Sequence, residues 1–199
     1  MAEEKLANPA VVGLAGFGTT TLLLQLHNLG LCGSGVIFCM ALAFGGAAQL
    51  LAGLQEFKTG NNFGYSAFSS YGAFWIGLAL VFMVSDFQAS PNTWIGGHLK
   101  IGATDLGWFL FAYTLLTVIF WIGSFAVHTA MLCTFTTLLL GFIGLDLVII
   151  CGMKNLLAPT AWVLIVCALC AWYMMASTIF AQVFGRNVLP VGKPWVSKP

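Results

Sequence analysis

The sequence predicts an all-α integral membrane protein with six transmembrane helices, on three observations. Of its 199 residues 60% are apolar and only 13 are charged, seven Lys or Arg and six Asp or Glu. Those charges leave four long gaps, at 6–55, 59–85, 106–145 and 155–185. Two of the gaps are too long for one crossing and are interrupted by clustered Gly, Asn and Ser. So few charges cannot cover a water-facing surface, which excludes a soluble enzyme domain. A net charge of +1 leaves no basic footprint for nucleic acid, and the apolar content excludes acidic disorder.

About 20 apolar residues cross ~30 Å of hydrocarbon at ~1.5 Å per residue, so the gaps are read in that unit. Asn28, Gly30, Gly33, Ser34 and Gly35 divide the first gap into spans near 9–28 and 36–56. The third span lies near 65–85, before a polar stretch with Pro91, Asn92, Gly96 and Gly97. Gly123, Ser124 and His128 divide the next long gap into spans near 105–123 and 128–150. The sixth covers 158–184, with Pro159 near its first turn, where a missing N–H is harmless. Residues 1–8 and 185–199 are then short tails flanking a transmembrane domain of 9–184. A signal peptide is not expected, because the first apolar run is too long and follows Glu3 and Glu4. With both tails cytoplasmic, Lys5, Lys58, Arg186, Lys193 and Lys198 lie inside against Lys100 and Lys154 outside, which favours that orientation.

Several intramembrane features bear chemistry. Asn8-Pro9-Ala10 reads as an N-cap and first helical residue, and helix-start N–H groups can also attract a carboxylate. Gly45, Gln49, Gly53 and Glu56 share one face of the second span, and Ser66, Ser70, Ala73 and Gly77 one face of the third. Such stripes serve close helix packing, or their polar members line a narrow pore. The remaining polar inventory is Gln25, Thr114, Thr117, Thr134, Thr136 and Thr137, with Asp146 the one acid deep in a span. Asp146 is a candidate functional group or a residue near the outer end of its span, since Lys154 follows by two turns. Cys167 and Cys170 lie mid-helix without companion His or carboxylates, so small apolar filling is the reading over a metal site. No metal or cofactor is expected, nor a catalytic set. The absence of Lys and Arg from span interiors argues against tight anion binding and for brief passage of a small solute.

Longer motifs then converge. Lys5-Leu6-Ala7-Asn8-Pro9-Ala10-Val11-Val12-Gly13-Leu14 resembles the N-P-A-P-L-G-L signature of the acetate/succinate transporter family, the succinate-acetate permeases. Leu26-His27-Asn28, the stretch Ala52 to Gly64, Ala67-Phe68-Ser69-Ser70-Tyr71-Gly72-Ala73-Phe74-Trp75 and Phe184-Gly185-Arg186-Asn187-Val188-Leu189-Pro190 match in the same order, while 86–183 match more loosely. The resemblance implies six helices per subunit, a homo-hexamer with a separate path through each subunit, and transport of acetate and sometimes succinate, proton-coupled or channel-like. It also implies a narrow point of Phe, Tyr and Leu. The first two fall on Phe17 and Tyr71, and the third on Thr134 or Phe135 by a one-residue choice of alignment. Val11-Val12 in place of Pro-Leu is a second departure.

An aromatic ring of this kind is a dewetting constriction, and a carboxylate loses hydration there at high cost. The protonated acid passes more easily, so uptake of small monocarboxylates should strengthen as external pH falls. Phe17, Tyr71, Thr134, Phe135, Asn8, Gln49 and Glu56 are the candidate path residues. The Tyr71 hydroxyl is expected to bond a passing carboxyl, and Glu56 to serve helix packing or the cytoplasmic mouth. The same uncharged lining would also serve a neutral-solute channel for urea or short amides. Expected partners are small carboxylic acids, protons, the bilayer and further copies of the chain.

Overall fold

A computed structural model describes residues 7–90 and 92–196. Lys5, Pro91 and Lys198, and the outer parts of both tails, lie outside the described residues. Six helices long and apolar enough to span a membrane run as α1 Ala10–Asn28, α2 Ser34–Thr59, α3 Asn62–Phe87, α4 Asp105–Ser124, α5 Thr129–Ile149 and α6 Lys154–Phe184. Each expected span has its helix, with ends displaced by a few residues. A five-residue helix, Trp94–His98, interrupts the α3–α4 connection.

Local chemistry sets the ends. Asn8 Oδ1 accepts from the Ala10 N–H at 2.9 Å, so the expected cap forms and occupies one of the N–H groups that an anion could have used. Gly60, at φ 73°, closes α2 while Asn61 N–H donates to Glu56 O at 3.3 Å. Asn61 then caps α3, its Oδ1 accepting from Gly64 N–H at 3.1 Å. His128 Nδ1 caps α5 by accepting from Met131 N–H at 3.1 Å. Burial lowers the proton affinity of this imidazole below its ordinary value, which favours the neutral ring that can accept.

Each helix packs on its chain neighbours, and α6 closes back onto α1. The α3–α4 seam is aromatic, with Phe74 stacked on Phe109 at 5.4 Å and meeting Tyr113 edge-on at 4.8 Å. Midway along α2 the backbone widens into a π turn over Ala43–Ala48. There α1 and α2 approach so closely that a Cβ at Gly16 would collide with the Phe44 carbonyl oxygen, and one at Gly45 would meet Thr20 Oγ1 at 2.5 Å. The π turn immediately precedes Gln49, and such turns recur where a helix must aim a side chain.

The two small-residue stripes part company. Gly45, Gln49, Gly53 and Glu56 are all buried, as inward packing requires. Ser66 and Ala73 are exposed, and Ser70 and Gly77 half-buried, so this stripe does not line an internal path. The reason is the aromatic content of α3: Phe68, Tyr71, Phe74 and Trp75 hold the interior face and turn the small residues outward. On α4, Trp108, Phe111, Leu115, Ile119 and Ile122 form an outward apolar stripe of the kind lipid accepts.

Residues 186–196 are extended, as expected, but they are tied down. Ser177 Oγ donates to Leu189 O at 2.6 Å, Tyr173 OH to Pro190 O at 2.9 Å, and Ala130 N–H to Val191 O at 2.9 Å. The tail thus satisfies a free N–H in the first turn of α5.

Candidate translocation path

Two cavities lie in line inside the bundle. The first, of about 110 Å³, opens toward the end that carries Ala10, Asn61 and Val127, here the near end. The second, of about 30 Å³, is bounded by Thr21, Leu24, Gln25, Trp75, Phe142 and Leu145 toward the far end. Phe17, Tyr71 and Leu138 border both, and form the neck between them. The spacing explains the alignment. Ala10, Leu14, Phe17, Thr21 and Leu24 recur every three or four residues on α1, as do Met131, Phe135, Leu138, Phe142 and Leu145 on α5.

The neck is rigidly built. Phe17 meets Tyr71 edge-on with centroids 5.9 Å apart, and Tyr71 also contacts Phe120 at 5.8 Å and Phe135 at 6.3 Å. The Tyr71 hydroxyl is 2.7 Å from Thr117 Oγ1, and Thr117 itself lies 2.6 Å from Tyr113 O. Thr117 has one hydrogen, which goes to that carbonyl, so Tyr71 donates to Thr117. Its hydrogen is thus held on α4, so a bond to a passing carboxyl, as expected of this hydroxyl, would be one that its oxygen accepts.

Thr134 and Phe135 both border the near cavity but not the far one, so neither occupies the level of Leu138. Thr134 Oγ1 donates to Ala130 O at 2.9 Å, which withdraws its polarity from the cavity. Leu138, which the motif match does not mark, borders both cavities and lies one turn further along α5, in the same three-and-four spacing.

Gln49 stands in the near-cavity wall, fully buried, and neither its Nε2 nor its Oε1 has a partner. Glu56 is 2% exposed and does not border the cavity; its Oε2 accepts from Asn61 Nδ2 at 2.8 Å and Thr59 Oγ1 at 3.2 Å. It therefore reaches the cavity only through Asn61, which does border it. Asn8 is exposed at the near end beside Ala10. In the far cavity, Thr21 Oγ1 and Trp75 Nε1 are buried without partners.

Six spanning helices around aligned, mostly apolar cavities with a few uncharged polar atoms define a membrane transport protein. The family model of the GPR1/FUN34/yaaH family matches residues 1–190. The succinate-acetate/proton symporter SatP of Escherichia coli K12 is 35% identical over 97% of this chain and 99% of its own. Acetate permease A of Emericella nidulans is 31% identical over 96% of this chain and 68% of its own. A solved structure of the bacterial acetate channel SatP superposes with a TM-score of 0.85 at 35% identity, covering 94% of this chain and all of that one. The chain belongs to the GPR1/FUN34/yaaH family.

Proposed function

We propose that this protein moves small carboxylic acids, acetate foremost and succinate second, across the cell membrane through the two cavities, with the acid crossing the neck in its protonated form. The observation that supports this most directly is Gln49, a buried residue bordering the near cavity whose amide donor and acceptor both lack a partner. A primary amide and a carboxylic acid are complementary: the amide N–H donates to the acid carbonyl, and the acid O–H donates to the amide oxygen. An ionised carboxylate keeps only the first bond and sets its charge against the amide oxygen. It must also shed water beside Phe17, Tyr71 and Leu138 with no cation to receive it. The names of the relatives point to the same substrates.

In this reading Asn8 and Asn61 stand at the mouth of the path, and Glu56 positions Asn61. The near end faces the cytoplasm, because Lys58, Arg186 and Lys193 flank it while Lys100 and Lys154 flank the far end. The subunits assemble as a homo-hexamer, with the outward small stripe of α3, including Ser66 and Ala73, available for close helix contact.

The test is labelled-acetate influx into proteoliposomes as external pH is lowered, beside swelling in urea. Protein-dependent influx that rises as pH falls, with urea excluded, is expected. Rates equal to protein-free vesicles, or rising with external pH, contradict the proposal; swelling in urea without acetate influx would favour a neutral-solute channel.

A further inference from the structure

Asp146 lies on α5 one turn inside its far end and is 9% exposed. Its Oδ2 is 2.6 Å from Thr114 Oγ1 on α4, and its Oδ1 is buried with no partner. Thr114 Oγ1 is also 3.2 Å from Leu110 O, so one hydroxyl hydrogen faces two acceptors. If Asp146 were ionised, that hydrogen would go to the carboxylate, the Leu110 contact would lack a proton, and a charge would lie in the bundle with one oxygen bare. If Asp146 carries a proton, its O–H donates to Thr114 and Thr114 donates to Leu110 O. Both short contacts become hydrogen bonds, and no net charge is buried.

Among the described residues, no Lys, Arg or His side chain bonds Asp146. From α4 the ionisable groups are Asp105, at its first residue, and Tyr113, whose hydroxyl turns away to Ser70 O at 3.4 Å. From α6 they are Lys154, on the opening 3-10 turn, with Cys167, Cys170 and Tyr173; the sulfur of Cys167 is engaged with Thr134 O, three turns from Asp146. On α5 Asp146 is the one charged residue type. Asp146 directly follows Leu145 and lies one turn beyond Phe142, both of which wall the far cavity.

We propose that Asp146 is a proton-binding site behind the far cavity, protonated in the resting protein and in exchange with the far-side solution. Loss of the proton turns the Thr114 hydroxyl from Leu110 O to the carboxylate and places a negative charge behind the wall the acid must pass. Flux therefore falls as far-side pH rises, beyond the change due to the substrate's own ionisation. This rests on the transport reading for its flux arm only.

The first arm is infrared spectroscopy of the lipid-reconstituted protein at neutral pH. The parent shows the C=O band of a buried protonated carboxyl, and Asp146→Asn, matched for monodispersity, loses it. A band that survives Asp146→Asn unchanged, or no such band in the parent, overturns the proposal. The second arm measures acetate influx at constant undissociated acid while far-side pH is varied. The parent should fall several-fold as pH rises, Asp146→Asn should be flat, and Asp146→Glu should keep a displaced profile. A flat parent, or a parent-like profile in Asp146→Asn, overturns the role in flux. Absence of acetate flux altogether contradicts the transport reading and leaves the infrared band to decide the site.

Discussion

The Tyr71 hydroxyl donates to Thr117 Oγ1 across 2.7 Å, which joins the neck on α3 to a helix that borders neither cavity. The ring is thereby held from behind, and its width is set by packing instead of by whatever solute is present. A buried hydroxyl pair of this kind contributes on the order of 1 kcal/mol, and removing one partner leaves the other's polarity unmet.

Tyr71→Phe should therefore leave acetate influx close to the parent while lowering thermal stability by about 1 kcal/mol. Tyr71→Ala should admit lactate, because it removes the ring itself. Acetate and lactate influx with thermal unfolding of both variants checks this; a large loss of acetate affinity in Tyr71→Phe would mean that the hydroxyl serves the substrate.

Leu138 borders both cavities and is 4% exposed, whereas Thr134 borders one and is bonded to its own helix. Leu138→Ala should widen the neck and cost about 2–5 kcal/mol of stability, as a large-to-small change in a packed interior does. Thr134→Val should change selectivity little. Ratios of acetate to longer-acid influx in the two variants discriminate the levels.

Gly16 admits the Phe44 carbonyl at the π turn, so Gly16→Ala forces α1 from α2 beside Gln49. Overpacking of this sort costs about 1–3 kcal/mol, and here it also moves a path residue. Reduced thermal stability with reduced influx is expected; an unchanged variant would show that the seam can yield.

His128 caps α5 as a neutral ring, and its proton affinity is lowered by burial. The unfolded chain then binds the proton more readily than the folded one, so no penalty exists well above pH ~6.5. The penalty grows as pH falls below that value and levels off once the folded ring is also protonated. His128→Asn keeps a capping acceptor without the titration, so it should lose less stability than the parent on acidification. Parallel unfolding profiles across this range would contradict the assignment.

All six spans were legible, because charges are excluded from hydrocarbon and their gaps measure its thickness. Phe17 and Tyr71, which border both cavities, are marked in the sequence by motif resemblance, and Gln49, which borders one, by its shared face with Gly45 and Gly53. The π turn was not legible, since Ala43–Ala48 reads as ordinary helix, and the close approach of α1 at Gly16 and Gly45 is a matter of tertiary packing. Leu138 was not, because an apolar residue in an apolar helix is marked by which neighbours it meets, not by its type. The outward turn of Ser66 and Ala73 was equally hidden: the bulk of the opposite aromatic face decides it.

The most direct measurement is labelled-acetate influx at acidic external pH by the parent and by Gln49→Leu, which keeps the volume but removes both polar atoms. At least a tenfold loss is expected, equivalent to about 1.4 kcal/mol and well within the worth of two hydrogen bonds in a dry site. Influx by Gln49→Leu equal to the parent, in protein equally folded, would contradict it.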